Sequence, residues 1–192
     1  QKLTADIETQ NDYPTISADK KTIYFSSDRN KQSRIWRVDA DGKNPLQITF
    51  GEDESHLFPQ ISPDGKWLYF IIKSGRNSTI GRKSLQENSV QELTGKTNYT
   101  AGNFLTLSPN GKMLAFQNIN YQTKSEAESP QFQMAFLSTD NPQNVELKDI
   151  TAWQQRIEWS SDSNFFEYVT GNVKQSSITR QSVSNATQPE KI

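Results

Sequence analysis

The sequence contains no cysteine, which excludes disulfides, thiolate zinc sites and cysteine nucleophiles. It has a single histidine, His56. A zinc centre draws on three or four His, Cys or carboxylate ligands, and a cluster of several histidines cannot be built here. No long apolar run exists either: the longest, Trp67 to Ile72, falls far short of the ~20 apolar residues of a membrane-spanning helix. Charge of one sign is also missing. A net charge of -1 gives no general attraction to nucleic acid or anionic lipid, so this segment is expected to bind no nucleic acid and to carry no membrane span. The chain starts at Gln1 without an apolar leader, as expected where a leader has been removed or the chain is a piece of a longer protein.

What the chain does have is 10% aromatic residues and a repeat. Four segments align on a serine: Tyr13-Pro-Thr-Ile-Ser17, Phe58-Pro-Gln-Ile-Ser62, Phe104-Leu-Thr-Leu-Ser108 and Arg156-Ile-Glu-Trp-Ser160. Each serine precedes a turn: Ala-Asp-Lys, Pro-Asp-Gly, Pro-Asn-Gly and Ser-Asp-Ser. Proline presets φ in such turns, Asp or Asn bonds the local backbone, and glycine accepts positive φ. Six residues beyond the serines stand Ile23, Leu68, Leu114 and Phe166, and eight beyond stand Phe25, Phe70, Phe116 and Tyr168. Apolar residues two apart share one face of a strand. Between them, Tyr24, Tyr69, Ala115 and Glu167 face the other way. A third strand starts at Ile35, Ile80 and Ile178. In the third repeat its equivalent, Met134, follows an insertion of about eight residues. A fourth strand closes with an echo: Leu3-Thr4, Ile48-Thr49, Leu93-Thr94 and Ile150-Thr151.

Four short antiparallel strands, here A to D, in roughly 40 to 45 residues are the signature of a β-propeller blade. One such sheet has two apolar faces and cannot bury both alone, but stacked blades can. The expected fold is therefore all-β: a β-propeller of four four-stranded antiparallel blades, at about 5–50, 51–95, 96–151 and 152–192. They form a single domain over 1–192, either a complete propeller or a fragment of a larger one.

The motif Pro59-x-Ile-Ser-Pro-Asp-Gly-Lys-x-Leu-x-Phe70 resembles the TolB-like, WD-repeat-like propeller repeat. So do Phe25-Ser-Ser-Asp-Arg29, Ile35-Trp-Arg-Val-Asp-Ala-Asp-Gly42 and Gln47-Ile-Thr49. The resemblance covers almost the whole chain and is specific for fold rather than function. Similar proteins include periplasmic TolB, peptidase propeller domains and the sensor regions of transcription regulators of the CadC kind. It implies a periplasmic or other extracytoplasmic module that binds or senses, with a protein, peptide or glycan as partner. The alternative is the propeller of a hydrolase or lyase whose catalytic part lies outside this chain. The departures are Lys20 and Ser163 where glycine is usual, and Arg156-Ile157 where the first blade has Tyr13-Pro14.

Strand alternation puts the D-to-A and B-to-C connections at one end of each blade and the short serine turns at the other. Loops on a rigid scaffold are the usual place for binding. The residues expected there are His56, Tyr99 and Trp153 from D-to-A loops, and Asp28, Arg29 and Arg76 from B-to-C loops. Beside Glu52-Asp53-Glu54, His56 can be imagined as a general base, but no nucleophile-elbow motif accompanies it. No catalytic residue, metal ligand or cofactor is assigned, and no turnover is expected. Asp28 is expected to fix its loop by accepting backbone N–H bonds, with Arg29 as its ion partner. Arg37, Arg82 and Arg180 recur on strand C, as a basic stripe or as protection against unwanted strand pairing. The end blades, if uncovered, would each present an apolar face. Neighbouring blades in a parent protein or a homodimer would cover them.

Overall fold

Four four-stranded antiparallel sheets account for every regular element among the described residues. The computed structural model describes residues 3, 9–87, 89–94, 101–120, 131–148, 150, 156–171, 174–184 and 190–191. The first blade is β1 (Asn11–Ile16), β2 (Thr22–Ser27), β3 (Arg34–Asp39) and β4 (Leu46–Gln47), and the second β5 (Ser55–Ile61), β6 (Trp67–Ser74), β7 (Asn77–Ser84) and β8 (Val90–Glu92). The third is β9 (Ala101–Leu107), β10 (Met113–Asn120), β11 (Gln131–Ser138) and β12 (Val145–Lys148). The fourth is β13 (Glu158–Trp159), β14 (Phe165–Gly171), β15 (Ser176–Ser182) and β16 (Glu190–Lys191). In each sheet the spatial order equals the chain order, the expected A-B-C-D blade. The strand in blade three that was expected to begin at Met134 starts at Gln131, because the long β10–β11 ladder carries its pairing on to Asn120 and Gln131. The chain falls into two compact units, Gln1–Ala101 and Gly102–Ile192.

The same packing rule operates inside each unit. In the first, Tyr24 and Ile35 of blade one meet Leu68, Phe70 and Ile72 of blade two. In the second, Ala115, Met134 and Phe136 of blade three meet Ile157, Phe166 and Tyr168 of blade four. Within each unit, the residue seven beyond the serine of the earlier blade thus faces the later blade, and those six and eight beyond the serine of the later blade face the earlier one. Phe70, Phe116 and Phe166 are fully buried, each side chain contributing about 1.5–3 kcal/mol through area removed from water.

The serine turns carry their own stabilisation. Ser17, Ser62, Ser108 and Ser160 each donate a side-chain hydrogen bond to the Asx two residues on, at 2.6, 2.6, 2.8 and 2.6 Å. The Asx oxygen then accepts the N–H of Lys21, Lys66, Lys112 or Asn164, at 3.0 Å each. The serine oxygen itself accepts the N–H of the first residue of strand B, at 2.9 to 3.0 Å. The turn requires a left-handed residue at its end. Gly65 and Gly111 supply it at φ 69° and 75°, while Lys20 and Ser163, the departures from glycine, are held at 59° and 62°. A side chain costs about 1–2 kcal/mol there. Ser163 gains something in return, since its Oγ accepts the Asn110 N–H at 3.0 Å.

In blades one and two the echo that ends the repeat also has a physical cause, while Thr4 and Thr151 lie outside the described residues. Thr49 and Thr94 lie just past β4 and β8 and are buried. Their Oγ1 atoms accept the N–H of Ile35 and Ile80, at 2.9 Å in both blades. The hydroxyl thus supplies an acceptor to strand C where strand D has turned away, and a buried N–H without a partner would be costly.

Candidate functional site

The β2–β3 loop of blade one and the linker from β4 to β5 meet at one end of the first unit. Strand A is bent as it arrives there. Pairing of β1 with β2 slips between Asp12 and Thr15, and pairing of β5 with β6 slips between Leu57 and Gln60. Tyr13 and Phe58 sit in these bulges at φ 54° and 56°, and their rings stack with centroids 3.7 Å apart. Each is followed by a proline, which a bulge tolerates because no ladder N–H is needed there.

Asp28 accepts the Gln10 N–H at 2.9 Å, and its own N–H reaches Gln10 O at 3.3 Å. It therefore fixes the loop as expected. Arg29, however, does not serve as its ion partner. Its guanidinium lies 4.5 Å from the Trp36 ring and 5.4 Å from Phe25. It donates to Ser27 Oγ at 3.1 Å and Asn11 Oδ1 at 3.2 Å. The aromatic surface and neutral oxygens draw it off Asp28, and partial burial lowers its pKa.

His56 is not a loop residue. It is the second residue of β5 and is 1% exposed. Its N–H donates to Ser33 O at 2.8 Å, joining blade two to blade one. Nε2 lies 2.9 Å from Glu54 Oε1, and the ring sits 4.9 Å from Phe70. Nδ1 is buried without a partner. A proton on Nε2 donates to Glu54, whereas one on Nδ1 would be a buried unpaired donor, so the Nε2–H tautomer is favoured. Burial pulls the His56 pKa below the usual imidazole value, and the Glu54 carboxylate pulls partly the other way.

Arg34, which the sequence did not single out, knits the loop to the linker. It is buried and donates to Ser33 O at 3.0 Å, Gln32 Oε1 at 2.8 Å, Gly51 O at 2.6 Å and Glu54 O. Outside this clamp is a pocket of about 360 Å³ lined by Asn30, Lys31, Gln32, Arg34, Gln47 and Phe50. Asn30 Nδ2 donates to Gln47 Oε1 at 2.7 Å, and Gln47 Nε2 donates to Thr49 O at 2.8 Å. The Phe50 ring is 64% exposed beside it. The signals for this site were departures from the repeat: Arg34 where blade two has Thr79, and an apolar Phe50 directly after the closing threonine.

Arg76 is exposed in the β6–β7 turn. That connection is a two-residue hairpin rather than a long loop: Ser74 pairs with Asn77, and Gly75 at φ 59° takes the first central position, as in a type II′ turn. Ser55, where the linker enters blade two, pairs with Lys73 next to it. The structure thus brings Asp28, Arg29 and His56 to the loop–linker junction and Arg76 to the same end of blade two. Tyr99 and Trp153 lie outside the described residues. On strand C, Arg82 lies over Trp67 at 4.3 Å, and Arg180 pairs with Glu167. Packing and pairing within their own blades account for these two, in place of a stripe. Among the described residues no group of three or more His, Cys, Asp or Glu could hold a metal ion, and no helix is long and apolar enough to cross a membrane.

The family model for the TolB β-propeller domain matches residues 1–160. An uncharacterized protein of Agrobacterium fabrum is 40% identical over 67 residues, which are 33% of this chain and 22% of that protein. The crystal structure of TolB from Acinetobacter baumannii superposes with a TM-score of 0.68 at 20% identity, covering 95% of this chain and 43% of that one. An oligogalacturonate lyase from Vibrio parahaemolyticus gives 0.63 at 12% identity, with 99% and 68% covered. At these identities the two structures speak for the fold alone. The chain spans about a fifth of the curated relative and less than half of the TolB chain.

Proposed function

The chain belongs to the TolB β-propeller domain family, and from that premise we propose that it is a non-catalytic binding or sensing module, working outside the cytoplasm. A peptide segment is its first ligand class and a glycan its second. The observation that carries this reading is the pocket between the β2–β3 loop and the β4–β5 linker, with the exposed Phe50 ring beside it. An exposed aromatic face offers a platform for an apolar side chain or a sugar ring. Asn30, Gln32 and Gln47 supply amide groups that match a peptide backbone or sugar hydroxyls. Lys31 adds one charge, and the buried Arg34 clamp holds the walls in place, so little ordering is left to be done on binding. His56 supports a non-catalytic role: it is buried, and its Nε2 is already committed to Glu54. A sensing part of a longer signalling protein of the CadC kind fits this reading, as does the binding propeller of a hydrolase or lyase with its active site elsewhere.

The test is ligand mapping on the folded chain, using peptide and oligosaccharide arrays followed by chemical-shift perturbation. Hits should perturb Asn30, Lys31, Gln47 and Phe50, and Phe50→Ala with Lys31→Ala should weaken them at unchanged fold. Perturbations confined to the Asp64-Gly65 and Asn110-Gly111 turns would refute the placement. Cleavage of esters, peptides or pectin oligomers, lost in His56→Ala, would refute the non-catalytic reading.

A further inference from the structure

The serine turn of blade three holds the chain's one Asn-Gly pair, Asn110-Gly111. That dipeptide has its own chemistry. A base removes the Gly111 amide proton, and the nitrogen attacks the Asn110 side-chain Cγ. The Cγ–Nδ2 bond breaks and ammonia leaves with a proton from water. A succinimide remains, and water opens it at either carbonyl. One opening gives aspartate. The other gives isoaspartate, with an extra main-chain carbon.

We propose that Asn110 is a site of spontaneous deamidation, that opening of its turn sets the rate, and that the fold accepts the aspartyl product but not the isoaspartyl one. Three observations show why the closed turn resists. The Gly111 N–H, which must be given up and swung towards Cγ, is engaged with Ser108 O at 2.8 Å. The side chain is pinned, with Oδ1 accepting from Ser108 Oγ at 2.8 Å and from Lys112 N at 3.0 Å. Ser163 Oγ holds the Asn110 N–H as well, at 3.0 Å. Attack therefore waits for local opening, which an exposed turn undergoes far more often than a core strand.

The fate of the product can be read in the other three blades. Asp64 occupies the equivalent position in blade two, bonded to Ser62 Oγ at 2.6 Å and to Lys66 N at 3.0 Å, with Gly65 following at φ 69°. Asp19 and Asp162 make the same pair of bonds. An aspartate at position 110 thus reproduces an arrangement that the repeat already uses three times, needing the same two donors. Isoaspartate routes the main chain through the former side chain. The carboxylate then no longer stands where the serine hydroxyl and the amide converge.

The experiment incubates the folded chain in mildly alkaline buffer, beside the same chain in urea. It follows the unit mass gain of the peptide containing Asn110, together with isoaspartate by enzymatic methylation. The native rate should be at least about tenfold below the rate in urea, and Ser108→Ala should raise it. Asn110→Asp should leave the unfolding midpoint at neutral pH unchanged. Equal native and urea rates, a Ser108→Ala rate equal to wild type, or an Asn110→Asp midpoint as low as that of Gly111→Ala would each overturn the proposal.

Discussion

Replacing Thr49 by valine removes one hydroxyl and almost no volume, from a side chain with 0% exposure. The partner left behind is the Ile35 N–H, bonded to Thr49 Oγ1 at 2.9 Å, in a residue that is also 0% exposed. Water cannot replace the lost acceptor. A buried donor left unpaired costs about 1–3 kcal/mol. The added methyl offsets part of this, by about 0.8 kcal/mol for a buried carbon. The net expectation is a loss of about 0.2–2 kcal/mol, or a fall in Tm of up to roughly 8 °C for a chain of this size. Thr49→Ser keeps the acceptor and loses only the methyl, so its cost should be about 0.8 kcal/mol. Urea unfolding gives both values, and amide hydrogen exchange gives a residue-specific readout: the Ile35 amide should lose protection in Thr49→Val and keep it in Thr49→Ser. If Thr49→Val proves as stable as the wild type and the Ile35 amide stays protected, the hydroxyl is not the acceptor that closes the blade, and the explanation of the repeated threonine fails.

Lys20→Gly should stabilise the chain by up to about 1 kcal/mol by relieving a positive φ. Ser163→Gly should gain less or lose, because it gives up the bond to Asn110 N; thermal unfolding of both variants compares them. The carboxyls of Asp19, Asp64 and Asp162 are held below the usual value of 3.8, first by the serine hydroxyl and then by a backbone N–H. A folded pKa below the unfolded one stabilises fully above 3.8, and the contribution disappears as pH falls through the depressed folded value. NMR titration should show all three midpoints low, with Ser62→Ala moving only that of Asp64 upward. Arg34→Met should cost roughly 1.5–3 kcal/mol, since it removes the charged donor from the part-buried carbonyls of Ser33, Gly51 and Glu54 at the loop–linker junction, and limited proteolysis should then cut near Gly51.

The repeat, the turns and the two strand faces could be read from residue order because they rest on local periodicity. Tyr24 and Phe25 point to opposite faces whatever surrounds them. His56 was misplaced because β5 already begins at Ser55, paired with Lys73, and because its main-chain N–H is taken by Ser33 of the neighbouring blade, a partner 23 residues away that no local pattern reveals. The Asp28-Arg29 pair shows the same limit in another form. Adjacent opposite charges suggested an ion pair, yet Trp36 and Phe25, brought close by sheet register, take the guanidinium. The Gly75-Arg76 turn was legible in principle, since a glycine between two strand-forming runs signals a tight hairpin.

The fixed facing of offset seven towards the next blade, and of offsets six and eight towards the previous one, has a consequence for how such a chain can grow. Because Tyr24 with Leu68 and Ala115 with Phe166 realise the same seam, a segment duplicated in register brings both halves of a new seam with it. A lengthened gene therefore yields complementary surfaces from the first generation, before any substitution is selected. Insertions and deletions that survive should come in whole repeats, or else fall in the B-to-C connections, where blade three carries its extra residues.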